Sequence, residues 1–334
     1  MKNLAAIGGA MLMLAGGAVL ADPPAPPSYA ERPEVRAFVR TMVEKHAFQE
    51  RQLVRLFAKA QHQDAILEAI ERTAPEKAPS WEDYRSLFLT ERRIEAGLAF
   101  WFRNEEALER AHRLYGVPEE YIVAILGVET FYGRHIGRWR VLDALSTLAF
   151  DYPRRADFFR GELEKYLLLA RRAHIDALTV KGSYAGAIGI PQFMPSTYLR
   201  YGVDFDGDGV VDLRDSAVDA IGSVANFLRS HGWGSGEPVQ LRALVDGDGY
   251  RPYAGAGLQP RYALAELARA GVVPVSSPPA GDPLAALVEL GNPDAPSEFR
   301  IGLRNFYVLT RYNRSSFYAS AVVDLAEALR AARD

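Results

Sequence analysis

The sequence predicts a mainly α-helical protein, α+β in the broad sense, with one small β-containing or irregular part. Three observations predict it. Apolar residues recur at helical spacing through most of 34–233 and again near the C-terminal end. One stretch, 234–296, is rich in Gly and Pro instead and holds only short apolar pieces. Finally, 49% hydrophobic against 24% charged residues is a globular balance, which excludes wholesale disorder and a collagen-like fibre. For 334 residues, roughly 150 per domain gives about two domains.

The segments follow in order. Lys2 is the only charged side chain before Asp22, and the apolar run between them ends in Val19-Leu20-Ala21. Residues 1–21 therefore read as a cleaved secretory signal peptide. The alternative is an uncleaved membrane anchor, which so short a run with Gly8, Gly9, Gly16 and Gly17 serves poorly. Residues 22–33 hold five prolines among small polar residues and read as an extended linker. From 34 to 114 the pattern predicts amphipathic helices, first on Val35, Phe38, Val39 and Met42, then on Leu53, Leu56 and Phe57, then on Ile66 and Ile70. A longer helical region runs from Trp81 to Leu114. Gly116-Val117-Pro118 breaks it, and Pro118 opens a helix from Glu119 to about Thr130. Further helices are expected at Asp157–Ala173, Thr197–Tyr201 and Ser216–Ser230, which makes 115–233 one helical core. Residues 234–296 read as a small β insertion with a helical patch at Tyr262–Ala270. Residues 297–334 return to the core and close it with a helix over Phe317–Ala332.

Composition excludes several chemistries. There is no Cys, so disulfides, thiolate catalysis, iron–sulfur clusters, Cys-ligated zinc and an acylated-Cys tether are ruled out. The six His form no H-x-x-x-H pair, so the helical zinc-hydrolase motif is absent. Basic residues number 39 and acidic ones 42, which leaves no overall electrostatic footprint for nucleic acid or an anionic membrane.

One residue breaks the pattern in an informative way. Glu129 follows Ile122, Ile125 and Leu126 by seven, four and three residues, so it shares their helix face. A carboxyl on an apolar stripe has its charged form disfavoured, and its pKa rises. A general acid working near neutral pH needs that shift. Periodicity alone also allows a Glu at the rim of the stripe, reaching water. The Gly-rich, uncharged stretch Ser183–Thr197 can line a groove where a sugar approaches the backbone, or can form a tight turn between helices. Asp143 and Asp151 are the nearest other carboxylates and read as helix-start or turn residues.

A second motif is acidic. Asp204, Asp206 and Asp208 stand at positions one, three and five of a twelve-residue loop, with Gly209 at six, Val210 at seven, Asp212 at nine and Asp215 at twelve. Five carboxylates so close repel unless a cation lies among them, and hard oxygen donors favour Ca²⁺. The departure is Asp215, a methylene shorter than the usual Glu. A solvated Asp-Gly turn is the alternative.

Six strings in order carry a family resemblance. They are Tyr115-Gly-Val-Pro118, Gly127-Val-Glu-Thr-Phe-Tyr-Gly133, Tyr152-Pro-Arg-Arg155, Ser183-Tyr-Ala-Gly186, Gln192-Phe-Met-Pro-Ser196 and Tyr312-Asn-Arg-Ser315. With these the chain resembles the membrane-bound lytic murein transglycosylase B family from about Arg36 to the C-terminus, most weakly over 234–296. The resemblance implies a goose-type lysozyme-like catalytic core with an added helical domain and a small β-containing part. It implies cleavage of the β-1,4 bond between N-acetylmuramic acid and N-acetylglucosamine in peptidoglycan glycan strands, without water, leaving a 1,6-anhydromuramyl end. The family's single catalytic Glu falls on Glu129. Its glycan contacts fall on Ser183, Gln192, Tyr312, Asn313 and Tyr318, and its arginines near the peptide stem on Arg154 and Arg155. The family also carries a Ca²⁺ loop, whose expected role is structural. Glu129 would act first as acid and then as base, with the substrate's N-acetyl group stabilising the cationic centre. A hydrolytic muramidase and a non-catalytic peptidoglycan-binding protein are the competing functions. The expected location is the periplasm, soluble after signal cleavage.

Overall fold

The structure, a computed structural model, describes residues 28–72 and 80–334. The signal peptide expected over 1–21 lies outside the described residues, as does the start of the linker. The linker's end is corrected. Tyr29 is buried in a short 3-10 turn, Tyr29–Glu31, and its hydroxyl donates to Asp151 Oδ2 at 2.6 Å. Arg32 pairs with the other oxygen of the same carboxylate. A buried aromatic and an ion pair hold this end of the proline-rich stretch on the core.

Helices α1 (Pro33–His46), α2 (Glu50–Phe57) and α3 (Asp64–Arg72) come next, then α4 (Trp81–Ser86), α5 (Glu91–Arg103) and α6 (Glu105–Tyr115). The single region expected over Trp81–Leu114 is thus three helices. Thr90 caps α5 by accepting from Arg93 N, and Gly116 ends α6 in the left-handed conformation. The central α7 (Glu119–Thr130) matches its expected span. Strand β1 (Trp139–Arg140) leads into α8 (Val141–Asp151), followed by α9 (Ala156–Arg172), strand β2 (Lys181–Gly182), α10 (Pro195–Tyr201) and α11 (Ala217–Ser230). Helix α8 has no counterpart in the sequence reading. It is buried along nearly its whole length, so it is apolar all round and shows no stripe to detect.

The β part holds β3 (Gln240–Val245), β4 (Tyr262–Ala263), helix α12 (Leu264–Arg269), β5 (Val272–Pro274), β6 (Leu284–Asn292) and β7 (Ala295–Gly302). They form one antiparallel sheet in the order β4-β6-β7-β3-β5. The boundary expected at 296/297 therefore falls inside β7 and moves to Gly302. Alternate residues of β6 serve two cores. Ala285 and Leu287 face α12, whereas Val288 and Leu290 join the main helical core. Helix α13 (Arg304–Tyr312) was also missed. Its buried Asn305 accepts from Gly234 N and donates to the carbonyls of Gly234 and Glu237, so a polar residue occupies the inward face. The chain closes with α14 (Ser316–Arg333), packed on α7 and α5.

Candidate active site

Glu129 is the penultimate residue of α7. The helix stops there because Phe131 and Tyr132 both adopt left-handed backbone, with φ of 52° and 60°. Thr130 holds the turn. Its hydroxyl donates to Ile190 O at 2.8 Å and accepts from Gly133 N at 2.9 Å. Tyr132 folds back over Gly127, where an added Cβ would meet the Tyr132 ring at 2.7 Å. Only glycine allows that approach.

One tyrosine bonds the carboxyl and two more stand near it. Tyr318 Oη donates to Glu129 Oε1 at 2.7 Å. Tyr312 stacks on Tyr318, with ring centroids 6.3 Å apart and planes 13° from parallel. Tyr84, on α4, is the third, and its hydroxyl is raised by burial first and by the Glu129 charge second. Burial also pushes Tyr312 and Tyr318 well above the usual phenol range. Glu129 keeps partial exposure as a residue, yet its carboxyl is crowded by protein. That burial lifts its pKa to about 7, against the downward pull of the Tyr318 hydrogen bond.

The buried carboxylates elsewhere are differently placed. Asp143 is paired with Arg140, Glu162 accepts from Ser196, Asp219 accepts backbone N–H groups and Asp324 is held by two arginines. Among the described residues, Glu129 is hydrogen-bonded through its side chain to Tyr318 alone. The centre is a single carboxyl among phenols.

The loop after β2 forms one wall. Ser183 Oγ accepts from Ala185 N and Ala187 N, which tightens the first turn. Gln192 donates to Gly189 O at 2.8 Å and Ile136 O at 3.0 Å. Tyr312 Oη donates to Pro191 O at 2.6 Å and ties this loop to α13. Asn313 is exposed just beyond α13. Thus Tyr318 meets Glu129 directly, Tyr312 joins them by stacking on Tyr318, and Gln192 stands beside the residue that Tyr312 holds. Arg154 and Arg155 stand exposed on a 3-10 turn after α8, with Arg155 4.4 Å over the Phe158 ring, and the structure shows no contact between them and Glu129. Tyr84 was missed by sequence reasoning. It lies forty-five residues before Glu129 on a six-residue helix, and no local pattern marks it.

The Tyr318 bond can be tested by pH. It pulls the Glu129 pKa down, so Tyr318→Phe should move the alkaline limb of the kcat/KM profile to higher pH. An unmoved limb would mean that the bond does not tune the acid.

The acidic loop is organised differently from its expected ligand set. Carboxylate oxygens of Asp204, Asp206 and Asp219 lie within 4.8 Å of one another. Asp212 turns instead to Arg214, accepting from Nε at 3.1 Å, and Asp215 stays exposed. Asp208 accepts from Val210 N and lies outside the cluster, and Val210 is exposed. Asp219 was missed because it sits in the first turn of α11, where Ser216 caps it and it reads as a helix-start residue. The donor set is all oxygen, which suits Ca²⁺.

A helical core with one buried acid beside a glycine-rich wall defines a lysozyme-like enzyme. Residues 30–327 match the Transglycosylase SLT domain family, and the chain belongs to it. It is an enzyme, a lytic murein transglycosylase acting on peptidoglycan. It is 44% identical over 313 residues to membrane-bound lytic murein transglycosylase B of Escherichia coli K12, covering 91% of this chain and 85% of that protein. The crystal structure of soluble lytic transglycosylase SltB1 from Pseudomonas aeruginosa superposes with a TM-score of 0.84 at 46% identity, over 90% of this chain and 99% of that one. Escherichia coli Slt35 in complex with calcium gives 0.83 at 43% identity, over 91% and 95%. Among the described residues, no helix is long and apolar enough to cross a membrane.

Proposed function

We propose that this enzyme cleaves the bond between N-acetylmuramic acid and N-acetylglucosamine without water, through Glu129 alone. One observation carries the reading: a buried carboxyl with a pKa of about 7 whose side-chain hydrogen-bond partner is a tyrosine and not a second acid or a base. Glycosidases that use water or a covalent intermediate canonically set a second carboxyl group about 5–9.5 Å from the first, and the other buried carboxyls among the described residues are each engaged by partners of their own. Here the protonated Glu129 gives its proton to the glycosidic oxygen as the C1–O bond breaks. The N-acetyl carbonyl of the substrate stabilises C1. The Glu129 carboxylate then takes the proton of the C6 hydroxyl while O6 closes on C1, which restores the acid and leaves a 1,6-anhydro end. Tyr312, which is partly exposed, offers its ring to the sugar, whereas the expected sugar-facing role of Tyr318 is corrected, since it is buried and acts through its hydrogen bond to Glu129. Ser183, Gln192 and Asn313 supply polar groups along the groove. Arg154 and Arg155 would meet the peptide stem. Mass spectrometry of fragments released from purified sacculi tests the reading. Anhydro ends support it, and reducing ends would show a hydrolytic muramidase.

Ca²⁺ would be held by Asp204, Asp206 and Asp219, with the remaining acidic loop residues close by. Its role is structural, because no step above uses it. A ligand that binds only the folded state stabilises it by mass action, so the melting temperature should rise with millimolar Ca²⁺ and fall with chelator. Asp219→Asn should remove most of that response. An identical melting curve with and without the ion would leave the loop as a plain turn.

The protein would act in the periplasm after removal of residues 1–21, with no acylated Cys to tether it. Recovery in osmotic-shock fluid with an N-terminus near Asp22 supports this, and retention in the membrane pellet at precursor mass contradicts it.

A further inference from the structure

Two residues beyond Glu129, Phe131 is the meeting point of three guanidinium groups. The Cζ atoms of Arg93, Arg134 and Arg92 lie 4.9, 5.2 and 5.6 Å from its ring centroid. The three come from two elements, α5 and the loop after α7. Phe131 itself is held in left-handed backbone, which a bulky residue adopts only when its surroundings require it.

The charges are not balanced by the protein. Among the described residues, none of the three arginines forms an ion pair with a carboxylate. Arg93 spends its donors on the carbonyls of Gly127 and Leu87, and its Nε is buried without a partner. Burial lowers its pKa, as expected for a cation without a counter-ion. Arg92 and Arg134 are exposed beside it. In a chain with a small net negative charge, three uncompensated cations on one ring make a local anion site. The site also adjoins the groove wall, because the same loop carries Ile136, whose carbonyl accepts from Gln192.

We propose that Arg92, Arg93 and Arg134, gathered around Phe131, form a carboxylate-binding cage for the acidic peptides carried by the glycan strand. The proposal rests on the peptidoglycan reading above and adds to it the part of the substrate that the cage recognises. It is distinct from Arg154 and Arg155, which stand after α8. Planar guanidinium groups match carboxylates in geometry, and a partly desolvated cage strengthens each bond. Arg93 sets the cage by holding the last turn of α7, and the two exposed arginines close on the ligand.

The test compares two substrates, glycan strands with their peptides intact and the same strands stripped of peptide by an amidase. The full-length enzyme should prefer the peptide-bearing strands, and high ionic strength should narrow that preference. In Arg92→Gln/Arg134→Gln, the ratio of kcat/KM between the two substrates should fall by about tenfold, chiefly through KM. Arg92→Lys/Arg134→Lys should recover part of the ratio, because charge returns without the planar fork. A ratio equal to that of the unsubstituted enzyme in the Gln pair overturns the proposal, and so does an equal loss on both substrates, which marks a structural role. Absence of lysis of either substrate by the unsubstituted enzyme would overturn the peptidoglycan reading itself, and the cage with it.

Discussion

Glu129→Gln should lower turnover by on the order of 10³-fold or more, because it removes the only proton the scheme can deliver and the only base that can receive one. The change is nearly isosteric, and the amide can still accept from Tyr318. The same substitution should also stabilise the fold above neutral pH. The folded-state pKa of Glu129 is raised from 4.5 to about 7 by burial. A group raised in this way gives its full contribution below its unfolded pKa and loses it as pH rises through the folded one. Stability is therefore lost between roughly pH 4.5 and 7, and the Gln variant should be spared up to about 3 kcal/mol of that loss. Partial exposure of the residue makes this an upper figure. Product release by the Gln protein at the original rate would remove Glu129 from the mechanism. Melting curves that fall equally with pH in both proteins would remove the burial argument.

The second large effect is expected far from the chemistry. Arg300 on β7 is fully buried and bonds both oxygens of Asp324 on α14, at 2.5 and 3.0 Å. Its Nε donates to Glu298, which accepts from Trp81 Nε1 at 2.9 Å, and the guanidinium lies 5.1 Å from the Trp81 ring. Arg85 on α4 donates to the same Asp324. One ion-pair network thus fastens the sheet and α4 to the helix that presents Tyr318. Arg300→Met leaves Asp324 buried with half its partners, and breaking such a pair costs about 3–5 kcal/mol. Arg300→Met/Asp324→Leu should recover much of that loss, since no charge is then left fully buried and the two that lose a partner, Arg85 and Glu298, are each more than a third exposed. Burial tends to raise the Asp324 pKa, but Arg300 and Arg85 outweigh it and hold the group below the usual range. Its contribution is therefore present above the unfolded value and lost as pH falls through the folded one, in the acid range below about 4. A loss under about 1 kcal/mol in the single variant, measured by denaturant unfolding, would show that this network is not a major fastening.

Packing, not periodicity, buries Glu129, because α7 is enclosed on every side over Ile122–Gly127. The sequence by itself determined the helical character of the chain, the span of α7 and the alignment of Glu129 with Ile122, Ile125 and Leu126. These are local facts, fixed by 3.6-residue periodicity and by Pro118 at the helix start. The acidic loop was legible in the same way, since Asp204, Asp206 and Asp208 sit at ligand spacing within a few residues. What the tertiary structure decided is everything that needs distant segments to meet. Tyr84 and Tyr318 reach Glu129 from opposite ends of the chain. Asp219, and not Asp215, joins Asp204 and Asp206, because Arg214 occupies Asp212 and α11 brings its first turn back to the loop. Helices α8 and α13 escaped detection because one has no polar face and the other hides a polar residue inside. Arg92, Arg93 and Arg134 are ordinary surface arginines until α5 folds against the end of α7. Periodicity records which face of an element is apolar, but not which other element that face will meet, and a site made of tyrosines and arginines from separate helices exists only once those faces are paired.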